Sequence, residues 1–540
     1  MQSTMQDVPL TITSLLRRGE SVFADSEVVT FQGEGSRRAT FATVGSRSAR
    51  LAAALRELGV KPDDRVGTLC WNHQEHLEAY FAVPCMGAVL HTLNLRLPPR
   101  QLAQIINHAE DRVVIVDASL APLLAAIKDH IPTVERVIVV GEADTSALGE
   151  TVRYEELVQT APDNFSWPRV EERNAAAMCY TTGTTGDPKG VVYSHRSIYL
   201  HSFAVWGAMR LDDTERVLTI VPMFHVNAWG VPFTAWMVGS DLLLPDRFLQ
   251  PEGLCKFIQS ERPTFTGGVP TIFTGMLAYV QATGADVSSL RRAVGGGSAV
   301  PGALITAFRE KLGIELIQAW GMTETSPIGT IALPPKGVAA DEEMTYRSKT
   351  GRTVPGVELR IVDDAGDEVP HDGMAVGEIE VRGPWITASY YGADAPEKFD
   401  DGWLRTGDVG NIDAKGFVQI TDRSKDVIKS GGEWISSVEL ENLLMAHPAV
   451  ADAAVVGVPD ERWQERPLAA VVLKPGESAT PDELRAFLQE KVAKWWLPER
   501  WAFVDELPKT SVGKQDKKLL RAMYAEGKVP VVELAGAAQR

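Results

Sequence analysis

Strand-like apolar runs alternate with helical patterns through roughly the first 350 residues, which restricts the chain to an α/β architecture with substantially parallel sheets. The strand candidates are Arg112–Val116, Val137–Val140, Ala175–Tyr180 and Val217–Val221. An early helix is equally legible. Thr40 can cap it, Leu51, Leu55 and Leu58 share one face, and Gly59 ends it. From about Gly351 the texture changes. Val357–Val362, Gly377–Arg382 and Phe417–Ile420 are short β-like pieces between Gly and Asp turns, which reads as a smaller β-rich subdomain.

The C-terminal part reads as a compact α+β unit, with Val450–Val458 and Leu468–Leu473 as strands. A helix is expected from Thr480 to Trp495. Thr480 is its N-cap, Pro481 its first residue and Glu483 the partner in a capping box. Leu484, Phe487, Leu488 and Val492 form its apolar face. The chain has 540 residues, and single cores stop growing near roughly 250–300, so more than one domain is required. The boundary is placed at Thr421–Asp422, where a strand-like run meets the charged segment Asp422–Asp426. This gives a large domain over 1–421 and a small one over 422–540.

A formal net charge of -17 argues against a nucleic-acid or anionic-membrane partner. Cys70, Cys85, Cys179 and Cys255 form no CxxC pair and have no histidine cluster at zinc spacing. They read as reduced, mostly buried thiols of a cytoplasmic protein. The N-terminal MQSTMQDVPL lacks a basic region followed by an apolar one. The longest apolar stretch, Phe81–Leu90, is broken by Pro84 and is too short for a transmembrane segment.

The chemistry concentrates in a few motifs. Tyr180-Thr-Thr-Gly-Thr-Thr-Gly-Asp-Pro-Lys-Gly190 follows an apolar strand. Thr181, Thr182, Gly183, Thr184, Thr185 and Lys189 offer hydroxyls, bare backbone N–H groups and a cation, the groups a polyphosphate needs. It is not a Walker A loop, because Lys189 is followed by Gly190 rather than Ser or Thr. Further on come Leu218–Gly230, with His225 and Trp229; Gly295-Gly-Gly-Ser-Ala-Val-Pro301; Ile317-Gln-Ala-Trp-Gly-Met-Thr-Glu-Thr-Ser-Pro327; Trp403–Gly410, with Asp408; Asp422–Ile435; and Leu507–Lys517, with Lys514.

Together, in this order, these motifs resemble the adenylate-forming superfamily of acyl-CoA synthetases, luciferases and peptide-synthetase adenylation domains. Within it the chain looks most like medium- and long-chain fatty acyl-CoA synthetases. The resemblance implies a large multi-subdomain N-terminal domain with α/β layers and a β-rich subdomain, plus a small mobile α+β C-terminal domain. It implies ATP, Mg²⁺ and coenzyme A as cofactor and cosubstrates, a small carboxylic acid as substrate, and a homodimer through the N-terminal domain.

By the same resemblance, Thr181–Thr185 and Lys189 hold the phosphates. Gly296, Gly297, Ser298, Gln318, Ala319, Trp320 and Gly321 line the nucleotide site, with Gly297 also bordering the acyl site. The family normally has Tyr where this chain has Trp320, and either ring stacks on adenine. Thr323 donates to the α-phosphate, Glu324 holds Mg²⁺, and Asp408 and Arg423 take the ribose. His225, Val226 and Trp229 belong to the acyl pocket, where Trp229 matches an aromatic gate. Asp422 is the hinge, and Lys429, Gly431 and Gly432 border the pantetheine tunnel. Lys514 is the catalytic lysine, and its neighbours Lys509, Lys517 and Lys518 read as solvated charges. Gln515 stands where an apolar residue is commoner. Other acyl acceptors such as a carrier protein, and a non-catalytic acid-binding homologue, are the alternative readings. Fatty, aryl, short thioether and polycyclic acids all remain open as substrate.

Overall fold

The computed structural model describes residues 1, 3–181, 188–363, 365–423, 425–430, 433–509 and 515–534, with the side chains of 433 and 434 excepted. Two large sheets dominate the N-terminal part. One has seven strands, with Asp111–Asp117, Arg65–Leu69, Val89–Thr92 and Ala175–Tyr180 adjacent and parallel. Gly190–Ser194 closes its edge antiparallel to Ala175–Tyr180. The other has nine strands. Its parallel run includes Asp241–Leu244, Arg216–Thr219, Phe265–Gly268, Arg292–Gly295 and Glu315–Gly321.

These strands are buried on both faces, as parallel sheets require. In Asp111–Asp117 the residues alternate: Val113 and Ile115 join one apolar cluster, Val114 and Val116 another. The first cluster also takes Leu51 and Leu55 of helix Phe41–Glu57, Tyr80 and Phe81 of helix Gln74–Cys85, and Leu242 and Leu244 of the second sheet. The two helices are therefore sandwiched between the sheets. Thr40 caps the first of them through its side chain, as the sequence predicts, and Gly59 takes φ +91° just beyond its end.

A five-stranded antiparallel sheet follows, containing Glu358–Val362, Gly377–Arg382, Trp403–Ile412 and Val418–Arg423. This is the expected β-rich subdomain. Asp422 still pairs with Val409 and Arg423 with Asp408, so the 421/422 division falls inside the last strand of this sheet. The C-terminal unit is a six-stranded sheet around the long hairpin Val450–Asp460 and Gln464–Leu473.

Three expectations need correction. The strand at Val217–Val221 is Arg216–Thr219. The Asn72 amide donates to both the Thr219 and Val221 carbonyls (2.8 and 2.9 Å), which draws the chain off the ladder. The helix expected over Thr480–Trp495 spans only Pro481–Gln489 and is followed by a 3-10 turn at Lys494–Trp496. That turn lets Trp496 and Leu497 fold back onto Trp501, while Val492 still packs against the same core. The capping box at Thr480 and Glu483 is present. Cys70 does meet a histidine: His73 and Asp117 join it in the core. His73 Nε2 lies 3.0 Å from each Asp117 oxygen, an ion pair that raises the imidazole's pKa despite burial. All four cysteines are buried free thiols.

Candidate active site

A cavity of about 1550 Å³ opens where the C-terminal ends of the parallel strands meet the β-rich sheet and the C-terminal unit. Ligand sites of open α/β sheets form at such strand ends. The Thr/Gly loop is carried by the hairpin of Ala175–Tyr180 and Gly190–Ser194. Its ends are pinned together: Thr181 N–H donates to the Lys189 carbonyl (2.9 Å), and Lys189 N–H to Thr181 Oγ1 (3.3 Å). Lys189 Nζ sits 4.8 Å over the Tyr390 ring and 3.9 Å from Glu397. Thr182, Gly183, Thr184 and Thr185 lie outside the described residues.

Strand Glu315–Gly321 delivers the next group, and the turn Thr323–Thr325 follows it directly. Gln318 is committed within the protein. Its Oε1 accepts from Val300 N–H (2.6 Å) and its Nε2 donates to the Lys349 carbonyl (2.8 Å), fixing the glycine turn above the strand ends. Gly296 lies where a Cβ would meet the Ala319 carbonyl at 3.1 Å and the Trp229 ring at 3.2 Å. Gly297 is half-buried with φ +83°, and Ser298 is exposed. Thr323 and Glu324 are both buried and both line the cavity. Tyr193 donates to the Thr323 carbonyl (2.9 Å), and Tyr390 donates to Glu324 Oε1 (2.7 Å).

Where the β-rich sheet meets the cavity, the Trp320 indole N–H donates to Asp408 Oδ2 (2.8 Å), and Arg423 Nε lies 3.3 Å from Asp408 Oδ1. The indole thus ties the end of strand Glu315–Gly321 to the Asp408 carboxylate across the cavity. The strand pairing of Asp408 with Arg423 brings these two into range.

The acyl-side motif has unusual backbone. Val226, Asn227, Ala228, Trp229 and Gly230 all have positive φ, between +47° and +71°, one turn of left-handed helix. For L-residues this conformation is disfavoured by roughly 1–2 kcal/mol each, so packing must impose it. The turn lays the Trp229 ring against the bare backbones of Gly267 and Gly296. His225 precedes the turn, half-buried and lining the cavity beside buried Val226.

A Cβ on Gly230 would meet His201 Nδ1 at 2.6 Å. Gly230→Ala should therefore cost about 1–3 kcal/mol, read as a lowered thermal midpoint with reduced turnover. An unchanged melt would remove the packing argument. His201 is fully buried, and burial pushes its pKa down to about 3. Its neutral Nε2 accepts from Ile328 N–H (3.2 Å). The folded form thus binds fewer protons than the unfolded chain between the ordinary histidine value and about 3, so this group's stabilisation is lost as pH falls through that window. Urea midpoints should drop from pH 7 to pH 5, and less steeply in His201→Gln.

From the C-terminal unit, Lys509 and Gln515 line the same cavity as Thr323 and Asp408. They flank the lysine loop; Lys514 itself, with Gly431 and Gly432 of the tunnel motif, lies outside the described residues. Lys429 is exposed on strand Ile428–Ser430, with its N–H on Glu465 (3.0 Å). Lys518 is exposed as expected, but Lys517 is not a solvated charge. Its side chain is 12% exposed and its Nζ lies 2.8 Å from Glu441. Spacing could not reveal this, because Glu441 stands far away in sequence on helix Ser437–Met445. Tyr390 was missed for the same reason. Ser389-Tyr390-Tyr391-Gly392 reads as an aromatic turn, and only the fold brings it to Glu324.

With this geometry in place, the comparisons are concordant. The AMP-binding enzyme model matches residues 16–391, and the AMP-binding enzyme C-terminal domain model matches 439–514. A long-chain-fatty-acid–CoA ligase of Thermus thermophilus is 47% identical over 532 residues, covering 97% of each chain. A 3-methylmercaptopropionyl-CoA ligase of Ruegeria lacuscaerulensis is 44% identical over 538 residues, covering 97% of this chain and 99% of its own. The crystal structure of the anthranilate CoA ligase AuaEII with anthranoyl-AMP superposes with a TM-score of 0.88 at 29% identity, covering 97% of this chain and 99% of that one. The chain belongs to the AMP-binding enzyme family.

Proposed function

We propose that the chain is an acyl-CoA synthetase: it activates a hydrophobic carboxylic acid with ATP as an acyl-adenylate and transfers the acyl group to coenzyme A, releasing AMP and pyrophosphate. The observation that carries this reading is the shared cavity, in which Glu324, Asp408, Trp229 and the flanks of the Lys514 loop all open on one volume. A carboxylate becomes an electrophile only when its oxygen is converted to a leaving group, and AMP serves as that group.

The obstacle is repulsion between two anions. At about 4 Å it amounts to roughly 1 kcal/mol in water and about 4 kcal/mol at an effective dielectric near 20. Lys514 is the cation that offsets that term as charge develops between the acid and the α-phosphate. Thr323 donates to the α-phosphate, Asp408 and Arg423 hold the ribose, Trp320 stacks on adenine, and Lys189 meets the outer phosphates. Glu324 is buried, lines the cavity and has one oxygen fixed by Tyr390, which suits Mg²⁺, an ion commonly held by one carboxylate plus substrate phosphates. Bound there, the ion would supply further neutralisation of phosphate charge.

After pyrophosphate leaves, the C-terminal domain over 422–540 turns about Asp422. That brings the Gly431–Gly432 loop and Lys429 to the acyl-adenylate as the wall of the thiol's tunnel. Apolar side chains beyond Trp229, among them Val205, Met209, Val231, Phe265 and Val294, favour an apolar acyl group. No helix among the described residues is long and apolar enough to cross a membrane. The buried thiols support a cytoplasmic setting, and a homodimer through the N-terminal domain follows from the family resemblance.

The test is pyrophosphate release with ATP and Mg²⁺ over fatty, aryl, short thioether and polycyclic acids, with and without CoA. Acid-dependent release with an acyl-CoA product supports the reading. Acid-dependent release without thioester, when CoA is present, overturns the choice of acceptor.

A further inference from the structure

We infer that Lys517 is a positioning residue that latches the hinge at Asp422 in the orientation that brings Lys509 and Gln515 to the cavity. This rests on the adenylation reading above.

The hinge residue Asp422 belongs by its backbone to the N-terminal sheet, paired with Val409. By its side chain it belongs to the C-terminal unit. Its Oδ2 accepts from the N–H of Ser437 (2.8 Å) and from the Ser437 hydroxyl, at the first turn of helix Ser437–Met445. A carboxylate at a helix N-terminus is favoured by the dipole and the orphan N–H groups. The adjacent Ser436 caps the helix and donates to the Thr421 carbonyl, a second tie across the same junction.

Lys517 closes this arrangement from the far side. Its Nζ donates to Ser437 Oγ (2.5 Å) and to Glu441 Oε1 (2.8 Å), and Glu441 Oε1 also accepts from Val455 N–H (2.7 Å). Lys517, Ser437, Asp422 and Glu441 form one cluster largely shielded from water, where charge–charge interactions are strongest. One turn further along helix Lys517–Ala525, Arg521 reaches the hinge again, pairing with Asp426 (2.5 Å).

Helix Lys517–Ala525 begins three residues after Lys514. The structure thus ties the element that trails the catalytic loop to the hinge at two places. Rotation about Asp422 changes the backbone that aims this carboxylate at Ser437, so the Ser437–Asp422 contact must open for the domain to turn. Burial opposes ionisation of Asp422 and raises its carboxyl pKa, while the nearby Lys517 ammonium counters that shift. Removing the ammonium therefore weakens the latch; Lys517 also borders the cavity, so the KM for ATP is read beside the rate.

The experiment separates the half-reactions. For Lys517→Met, acid-dependent pyrophosphate release should fall at least about tenfold, with KM for ATP changed less than about threefold. CoA thioester formation from supplied acyl-adenylate should fall less than about threefold. Ser437→Ala, which removes only the hydroxyl relay, keeps the charge pair and should show the same asymmetry in smaller degree. Equal loss of both half-reactions in the two variants would mean a structural role and overturn the inference, as would no loss in either. Failure of the wild-type protein to release pyrophosphate with any acid would instead count against the adenylation reading.

Discussion

Lys514→Ala should lower acid-dependent pyrophosphate release by about 10²–10³-fold, the loss seen when one charge-stabilising group is removed from a transition state. The same variant should convert supplied acyl-adenylate and CoA to acyl-CoA within a few-fold of the wild-type rate. The asymmetry follows from the order of events. In the proposed role the lysine offsets repulsion only while carboxylate and α-phosphate approach each other, and thioester formation has no such encounter. Two stopped assays, one for pyrophosphate and one for thioester, measure it. Equal loss of both activities would remove Lys514 from its proposed place. Lys509 is the control cation: it lines the same cavity, is 45% exposed and lies 3.9 Å from Asp452. Its replacement by Ala should cost far less.

Glu324→Gln is the second large effect. The substitution keeps an oxygen for the Tyr390 hydroxyl but removes the charge that would hold Mg²⁺. Pyrophosphate release should fall about 10²-fold, on the scale of losing one electrostatic stabiliser, and the Mg²⁺ concentration for half-maximal rate should rise. Tyr390→Phe should move that Mg²⁺ requirement in the same direction by a smaller factor, because it frees Oε1 without changing charge. A Mg²⁺ titration of pyrophosphate release checks both. An unchanged titration midpoint in Glu324→Gln would remove this carboxylate from the metal.

Much of the architecture was legible because its signals are local. The unbroken apolar run Val113–Val116, the Thr40 cap and the capping box at Thr480 are each read from residues within a few positions of one another. Elements failed to match where a distant side chain intervened, as Asn72 does at the end of strand Arg216–Thr219. The helix after Thr480 stopped short because Trp496 and Leu497 pack better folded onto Trp501.

The site divides in the same way. Motif residues such as Glu324, Asp408, Trp320 and Trp229 could be named from their segments and do open on one cavity. The contacts that hold them in place could not be read. Tyr390 on Glu324, the Trp320 indole on Asp408 and Lys517 behind Asp422 bridge separations that leave no periodic trace. The left-handed turn through Trp229 is similarly silent, since Val226, Ala228 and Trp229 in it are residues that disfavour positive φ.

In the proposed reaction an acyl-adenylate forms before CoA takes part. The direct measurement is a single turnover with enzyme in excess over α-labelled ATP, Mg²⁺ and the best acid of the panel, without CoA. Labelled acyl-AMP should remain bound to the enzyme together with one equivalent of pyrophosphate, and should be discharged to AMP and acyl-CoA when CoA is added. Labelled ADP with inorganic phosphate, or no labelled acyl-AMP until CoA is present, would contradict it.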